Sequence, residues 1–150
     1  MDNIFSENIP WAIGLVVVLF GIIAAHRLVS YRDKKNTFNN AAKEFSDTFH
    51  RELKDIFPHP INWPPGANGI DIFLRSKFPV LQSAIAKFRH FLPWYKRLFF
   101  NRAWFRYRCS TGREIDTQCY HHYMSFGDNP NYKENFKHNV DKLLSFAKPK

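Results

Sequence analysis

The sequence lacks the signatures by which many enzymes are recognised. Its 150 residues contain no phosphate-cradling glycine loop, no G-x-S-x-G elbow and no H-E-x-x-H pair of helical histidines. The acidic residues are scattered among bases on helical segments, a distribution that suits surface pairing better than acid–base catalysis. The sequence therefore predicts no catalytic activity and no cofactor.

Cysteine is scarce as well, since the chain has only Cys109 and Cys119. Two thiols are too few for a disulfide framework and are consistent with a reducing compartment. Together with His121 and His122 they form C-x9-C-x-H-H, a set of side chains that zinc accepts as ligands. Because the close C-x2–4-C knuckle of structural zinc sites is missing, the favoured interpretation is partly buried cysteines beside surface histidines. We therefore predict no metal site; if one existed, these four residues would be its candidate ligands.

Charged residues are absent from residues 9–25, a run of seventeen mostly apolar positions. A transmembrane helix needs about 17–25 such residues, and a snorkelling Arg27 extends this span to residue 29. A cleaved signal peptide and a buried core helix are the alternatives. A signal peptide begins with a basic segment, whereas residues 1–8 hold two acids and no Lys or Arg. We therefore predict an uncleaved transmembrane helix over residues 9–29.

The basic residues near this span are all on its carboxyl side. Arg27, Arg32, Lys34 and Lys35 follow the apolar run, against a single acid, Asp33. The positive-inside rule places that side in the cytoplasm and the short leader, residues 1–8, outside. About 120 residues then form one cytoplasmic domain, which is an ordinary single-domain size.

Glycine and proline are absent from residues 22–57, so nothing local stops a helix at the membrane surface. Apolar residues recur there at spacings of three to four, which predicts an amphipathic helix over residues 30–57. This helix can be continuous with the anchor. The apolar stripe consists of Phe38, Ala42, Phe45, Phe49, Leu53 and Ile56.

The remainder of the domain, residues 58–150, alternates helical periodicity with breaker-rich loops. The pattern predicts a short helix over residues 71–77, a second one that starts at Pro79, a third over 94–107 and a last one over 132–147 capped by Asn131. The loops cover residues 59–69, where Ile61 and Trp63 should pack down, and residues 109–130, with a turn at 128–130. The fold class is thus all-α, a transmembrane helix followed by a bundle of about four helices. The predicted core comprises Phe45, Phe49, Leu53, Leu81, Ile85, Phe88, Trp104, Phe136, Val140 and Leu144.

Acidic residues are also absent from residues 75–108, which hold nine Lys or Arg and ten aromatic residues. The rest of the chain has thirteen residues of each sign, so this basic segment accounts for the whole net charge of +9. The predicted interaction surface consists of Lys87, Arg89, Lys96, Arg97, Arg102, Arg106 and Arg108.

Three interpretations of the basic segment remain open. The favoured one makes the aromatics core and the cations a solvated face or the complement of an acidic protein partner. In the second, the surface lies against anionic lipid headgroups. In the third, it binds nucleic acid through phosphate contacts and base stacking.

The third predicted helix has two apolar sides instead of one. Successive residues are about 100° apart, so Trp94, Leu98 and Phe105 cluster opposite an arc of four further apolar residues, Phe100, Ala103, Trp104 and Tyr107. Either this helix is central to the bundle, or one side meets a partner or the bilayer. Arg102 and Arg106 share the face between the arcs and can pair with acids of the first helix. Those acids are Glu44, Asp47, Glu52 and Asp55.

The motifs F-R-x-x-L at Phe88–Leu92 and A-W-x-x-Y at Ala103–Tyr107, with the terminal stretch L-L-S-F-A at residues 143–147, resemble those of a group of short bacterial proteins. Members of that group pair an optional N-terminal membrane helix with a small helical domain. The resemblance spans most of residues 38–147 and implies a bacterial source and this architecture, without implying an activity or functional residues.

The sequence as a whole favours a single-pass protein of the bacterial inner membrane that serves in interaction or scaffolding. Its predicted partners are the lipid bilayer and, at the basic surface, anionic headgroups or an acidic protein. The alternative is a membrane-tethered nucleic-acid-binding protein. The oligomeric state is not predicted.

Overall fold

The computed structural model describes residues 9–66, 68–109, 119–124 and 130–149, and the regular secondary structure of these residues is entirely helical. This confirms the predicted all-α class with four helices. The predicted leader and most of the predicted turn at 128–130 lie outside the described residues. The elements are α1 (Ile9–Glu52), α2 (Gly69–Arg89), α3 (Trp94–Arg108) and α4 (Tyr132–Leu144), with short 3-10 helices at His121–Tyr123 and Ser145–Ala147.

Helix α1 joins the apolar run and the amphipathic stripe in one continuous helix. It ends at Glu52, short of the predicted end at residue 57. The chain then tightens into turns, since the amide of Ile56 donates to the Leu53 carbonyl at 2.9 Å and that of Phe57 donates to the same oxygen at 2.8 Å. Ile56 and Phe57 are buried in these turns, beyond the end of the helix.

The chain divides into two compact units, of which the first ends at Thr37 and the second begins at Phe38. Within the first unit, α1 contains an 18-residue window with a mean hydropathy of 1.8, and none of this window is buried. Among the described residues, α1 is the one helix long and apolar enough to cross a membrane. Its exposure contradicts the alternative of a buried core helix, because a core helix covers its apolar side chains.

The second unit has an aromatic core to which all four helices contribute. Nine of the ten predicted core residues are buried, and Leu144 is half-buried. Its neighbour Leu143 takes the core position, because the α4 stripe follows the 3.6-residue period through Phe136, Val140, Leu143 and Ala147. Leu144 lies about 100° from Leu143 around the helix axis, at the edge of that stripe.

Helix α2 is a single helix, so the predicted break before Pro79 is wrong. Pro79 lies inside it at an exposed position. A proline within a helix costs about 3 kcal/mol or more. Each fully buried aliphatic side chain stabilises the fold by about 1.5–3 kcal/mol, and the α2 stripe continues on both sides of the proline. The combined burial outweighs the cost of the break. The buried residues of this stripe are Ile70, Leu74, Leu81, Ile85 and Phe88.

The two remaining local predictions are each half right. Trp63 packs edge-on against Phe136, with ring centroids 5.6 Å apart, as predicted, but Ile61 is 80 % exposed. Asn131 occupies the cap position of α4, yet its side chain makes no capping hydrogen bond. Its backbone carbonyl accepts from the amide of Asn135 at 2.9 Å instead.

Candidate functional site

Helix α3 turns one of its two apolar sides inward and the other outward. The arc with Phe100 and Tyr107 is buried, whereas Trp94 is 76 % exposed and Leu98 is 67 % exposed. Phe105 is half-buried. Helix α3 is therefore not central to the bundle, and its outward side is available to a partner.

The exposed side of α3 and the residues before it form a cluster of large apolar side chains, here called the apolar patch. Its rings include Trp94 and Tyr95, which meet edge-on with centroids 6.1 Å apart. Soluble surfaces carry single exposed apolar residues routinely, but clusters of them mark interaction sites. The patch consists of Phe91, Trp94, Tyr95, Leu98 and Phe99, each at least 42 % exposed.

A groove of about 680 Å3 borders the apolar patch, between α3 and the end of α4; we call it the α3–α4 groove. Among the described residues that line it, four are cationic, three are aromatic and none is acidic. This volume is typical of sites that take a small organic ligand. The cations are Lys96, Arg102, Arg106 and Lys142, and the aromatics are Tyr95, Phe99 and Phe146.

The floor of the groove is fixed by the core beneath it. Phe146 packs edge-on against Phe100, with centroids 5.4 Å apart, and Phe100 meets Phe88 in the same way at 5.7 Å. Ala103 leaves depth at the centre because its side chain is a single methyl group. Aromatic rings packed on the core thus form the floor of the groove, and long cationic side chains line it.

The cations of the groove have no acidic partner among the described residues, so the predicted pairing of Arg102 and Arg106 with acids of the first predicted helix is wrong. Glu52 instead lies 3.2 Å from both the Arg51 Nε and the Lys77 Nζ. The hydrogen bonds that Arg51 and Lys77 donate to it lower the pKa of the Glu52 carboxyl, and the bond from Arg51 has the larger effect. Glu44 faces Lys87 at 3.7 Å. The groove therefore keeps a net positive charge.

Two other cations of the predicted surface have structural roles. Arg97 donates from Nε to the Leu92 carbonyl at 2.8 Å and from Nη2 to the His90 carbonyl at 3.0 Å, which ties down the α2–α3 connection. The Arg108 guanidinium lies over the Trp104 ring, 5.3 Å from its centroid. Such contacts hold these side chains against the fold.

The last two predicted cations lie on α2. Arg89 is exposed there, outside the groove lining. Lys87 lines a second groove of about 470 Å3 between α1 and α2. That groove differs from the α3–α4 groove in its charges, because Glu44, the partner of Lys87, lines it together with Lys87 and Arg51. The structure thus gathers Lys96, Arg102 and Arg106 in one site and leaves the other predicted cations elsewhere.

The four metal candidates do not come together as a ligand set. Cys119 Sγ lies 2.9 Å from His121 Nδ1, and both Cys109 and Cys119 are buried. The His122 ring packs on Tyr123, with centroids 3.8 Å apart. In the part of the chain that the structure describes, no group of three or more His, Cys, Asp or Glu residues could hold a metal ion.

Three buried tyrosines lie close together at the carboxyl end of α3, one of them within the helix. The ring centroid of Tyr107 lies 5.9 Å from that of Tyr120 and 6.1 Å from that of Tyr123. Burial raises the pKa of each phenol above its ordinary value, and for Tyr123 a hydrogen bond from Asn139 partly opposes this rise. All three phenols therefore stay neutral in the folded protein at physiological pH.

We expect these tyrosines to make the fold sensitive to alkali. Their folded pKa values exceed the unfolded value of about 10, so the stability that their neutral forms contribute is complete below that pH and declines as pH rises above it. Phenolate absorbance at high pH should therefore include a cooperative step that coincides with the loss of helical circular dichroism. Tyr120→Phe should shrink that step. Ionisation of the three tyrosines while the helices persist would contradict the prediction.

Comparisons with protein-family models, curated proteins and solved structures find no match to this chain. The resemblance to the group of short bacterial proteins stays a prediction. Sequence reasoning also missed Lys142 and Phe146 as parts of the site. They lie far from α3 along the chain, and the only signal for them is that Lys142 falls off the α4 stripe.

Proposed function

We propose that this protein is a single-pass protein of the bacterial inner membrane whose helical domain is an interaction module in the cytoplasm. The observation that carries the proposal is the fully exposed apolar window of α1. A water-exposed stretch of this length is costly, whereas the hydrocarbon core of a bilayer accommodates it. The helix also satisfies its own backbone hydrogen bonds, as a membrane span must.

The orientation rests on the charges beside the span. Four of the cations on its carboxyl side, Arg27, Arg32, Lys34 and Lys35, favour the cytoplasmic side of the membrane. The domain then lies in the cytoplasm, and residues 1–8 lie outside. Two buried free cysteines suit that reducing compartment.

The interaction role rests on α3. A groove whose described charged residues are all cations, next to an exposed apolar patch, is a surface suited to a partner with acidic and apolar parts. The function requires no reaction chemistry from the domain. A membrane-tethered nucleic-acid binder is the second candidate, because exposed Tyr95 and Phe99 beside Lys96 and Arg102 can stack on bases while the cations contact phosphates.

Reporter fusions in a bacterial host test the topology. A reporter that is active only in the periplasm should give no signal at the carboxyl end and a clear signal at the amino end, because the positive-inside rule holds α1 in one orientation. The chain should remain in the membrane fraction at full length after alkaline washing. As a control, moving the four cations to the leader should invert both signals.

Two outcomes would contradict the proposed topology. One is a periplasmic signal from the carboxyl-terminal fusion. The other is recovery of soluble protein without its first residues, which would show that the apolar run is a cleaved signal peptide.

A further inference from the structure

We infer that the apolar patch and the α3–α4 groove form a binding site for anionic phospholipid, through which the domain lies on the bilayer surface. The inference rests on the proposed membrane anchoring and names the partner of the same surface. In this arrangement the patch enters the boundary between headgroups and acyl chains, and the groove cations hold lipid phosphates.

The apolar patch has the composition of a membrane-interface segment. Trp94 and Tyr95 carry rings with a polar tip, the kind that favours the headgroup level. Leu98 and Phe99 follow one turn later and supply purely apolar surface. Spacings of three and four put Trp94, Tyr95 and Leu98 on a common side of α3, as in helices that lie in the plane of the interface, and the exposed Phe91 lies just before this helix.

The groove supplies the complementary charge. Arg102 and Arg106 are exposed, one turn apart on α3, and Lys96 and Lys142 line the same groove. Guanidinium groups match phosphate oxygens in a bidentate manner, and the described residues of the groove lining include no acid that competes for them. The aromatic walls formed by Tyr95, Phe99 and Phe146 suit the apolar part of a lipid next to its phosphate.

Lipid accounts for more of this surface than nucleic acid or an acidic protein does. Leu98, 67 % exposed, cannot stack on a base, and it lies between the exposed rings of Trp94 and Phe99. An anchored domain also meets bilayer lipid at a high effective concentration, so a modest intrinsic affinity suffices. A soluble acidic partner or a nucleic acid has no such advantage.

Spin labels on the full-length protein in liposomes test the inference. A nitroxide is attached at Leu98→Cys in the apolar patch, at Val17→Cys in the anchor or at His138→Cys on the exposed surface of α4. Its accessibility to lipid-soluble oxygen and to a water-soluble nickel chelate reports its depth. The parent chain should take up little label, since Cys109 and Cys119 are buried.

The expected result depends on lipid charge only for the patch. In liposomes with phosphatidylglycerol, the Leu98→Cys label should become accessible to oxygen and protected from the chelate, and rising salt should reverse this. In pure phosphatidylcholine it should stay accessible to the chelate. The Val17→Cys label should be in lipid in both, and the His138→Cys label in water in both.

Charge variants separate the groove from general positive charge. Arg102→Glu with Arg106→Glu should return the Leu98→Cys label to water in phosphatidylglycerol liposomes. The matched control, Lys54→Glu with Lys137→Glu, makes the same change in net charge at exposed residues outside the groove lining and should leave the label in lipid. If the first variant loses its helical circular dichroism, Arg102→Gln with Arg106→Gln provides the same test without repulsion.

Several results would overturn the inference. The first is a Leu98→Cys label that stays in water in phosphatidylglycerol liposomes. If the Val17→Cys label is in lipid in the same experiment, the proposed membrane anchoring still holds. A Leu98→Cys label that is equally deep in the lipid of phosphatidylcholine liposomes would show that lipid charge plays no role. Protection of the label by single-stranded RNA or DNA instead of lipid assigns the surface to nucleic acid. A Val17→Cys label in water overturns the proposed function and the inference with it.

Discussion

Replacing Phe88 by alanine is expected to lower the free energy of unfolding of the domain by about 3–5 kcal/mol. The Phe88 side chain is 1 % exposed and stacks on Phe45, with centroids 4.7 Å apart. It also meets Phe100 edge-on at 5.7 Å and Phe38 at 5.8 Å. Its removal leaves a cavity where α1, α2 and α3 meet. Denaturant unfolding of the full chain in detergent, followed by tryptophan fluorescence, measures the loss.

Phe91→Ala is the matched control for this substitution. Phe91 lies three residues further along and is 42 % exposed, as part of the apolar patch. Its truncation should lower the free energy of unfolding by clearly less than Phe88→Ala does, because a large part of the Phe91 side chain is already exposed to solvent. A comparable loss in both variants, or a loss below about 1 kcal/mol for Phe88→Ala, would show that Phe88 does not pack in the core.

Helical periodicity predicted the packing of this domain well, because burial selects residues at fixed angles around a helix. The two arcs of α3 follow from the spacing of Phe100 and Tyr107 against Trp94 and Leu98, and the structure buries one arc and exposes the other. The pattern left open whether the second arc was buried as well. That depends on which elements pack against α3, which a single sequence does not specify.

Local signals failed where tertiary packing outweighed them. Pro79 favours a helix start, but burial on both sides of it keeps α2 continuous. Ion pairs were equally hard to predict, since sign and helix face allowed Arg102 to pair with Glu52. In the structure Glu52 forms its ion pairs with Arg51 and Lys77 instead. A surface ion pair contributes little energy, so it follows from the packing and does not direct it.

The α3–α4 groove shows why the charge pattern identified only part of the candidate site. Segregation of charge in residues 75–108 pointed to Lys96, Arg102 and Arg106, all within one stretch of chain. Lys142 and Phe146 come from the far end of the sequence and complete the groove only because α4 packs against α3. Their side chains are ordinary for the last turns of an amphipathic helix. Position in space, and not residue type, makes them part of the site.

Tyr107 offers the sharpest test of the aromatic core, because its ring and its hydroxyl should have opposite effects. The ring is fully buried, stacks on Trp104 at 5.2 Å and lies 6.0 Å from Phe136, so Tyr107→Ala should cost about 3–5 kcal/mol. The hydroxyl is buried with no hydrogen-bond partner among the described residues. Such a group costs about 1–3 kcal/mol. Tyr107→Phe should therefore leave the free energy of unfolding unchanged or raise it.

Tyr123→Phe is the control that separates a bonded phenol from an unbonded one. The Tyr123 hydroxyl accepts a hydrogen bond from Asn139 Nδ2 at 2.9 Å, so its removal should lower the free energy of unfolding by about 0.5–1.5 kcal/mol. Both variants keep the aromatic ring, and denaturant unfolding of the full chain in detergent compares them directly. A loss above about 1 kcal/mol for Tyr107→Phe would mean that its hydroxyl is hydrogen-bonded in the folded protein. The cluster would then be held by polar contacts as well as by ring packing.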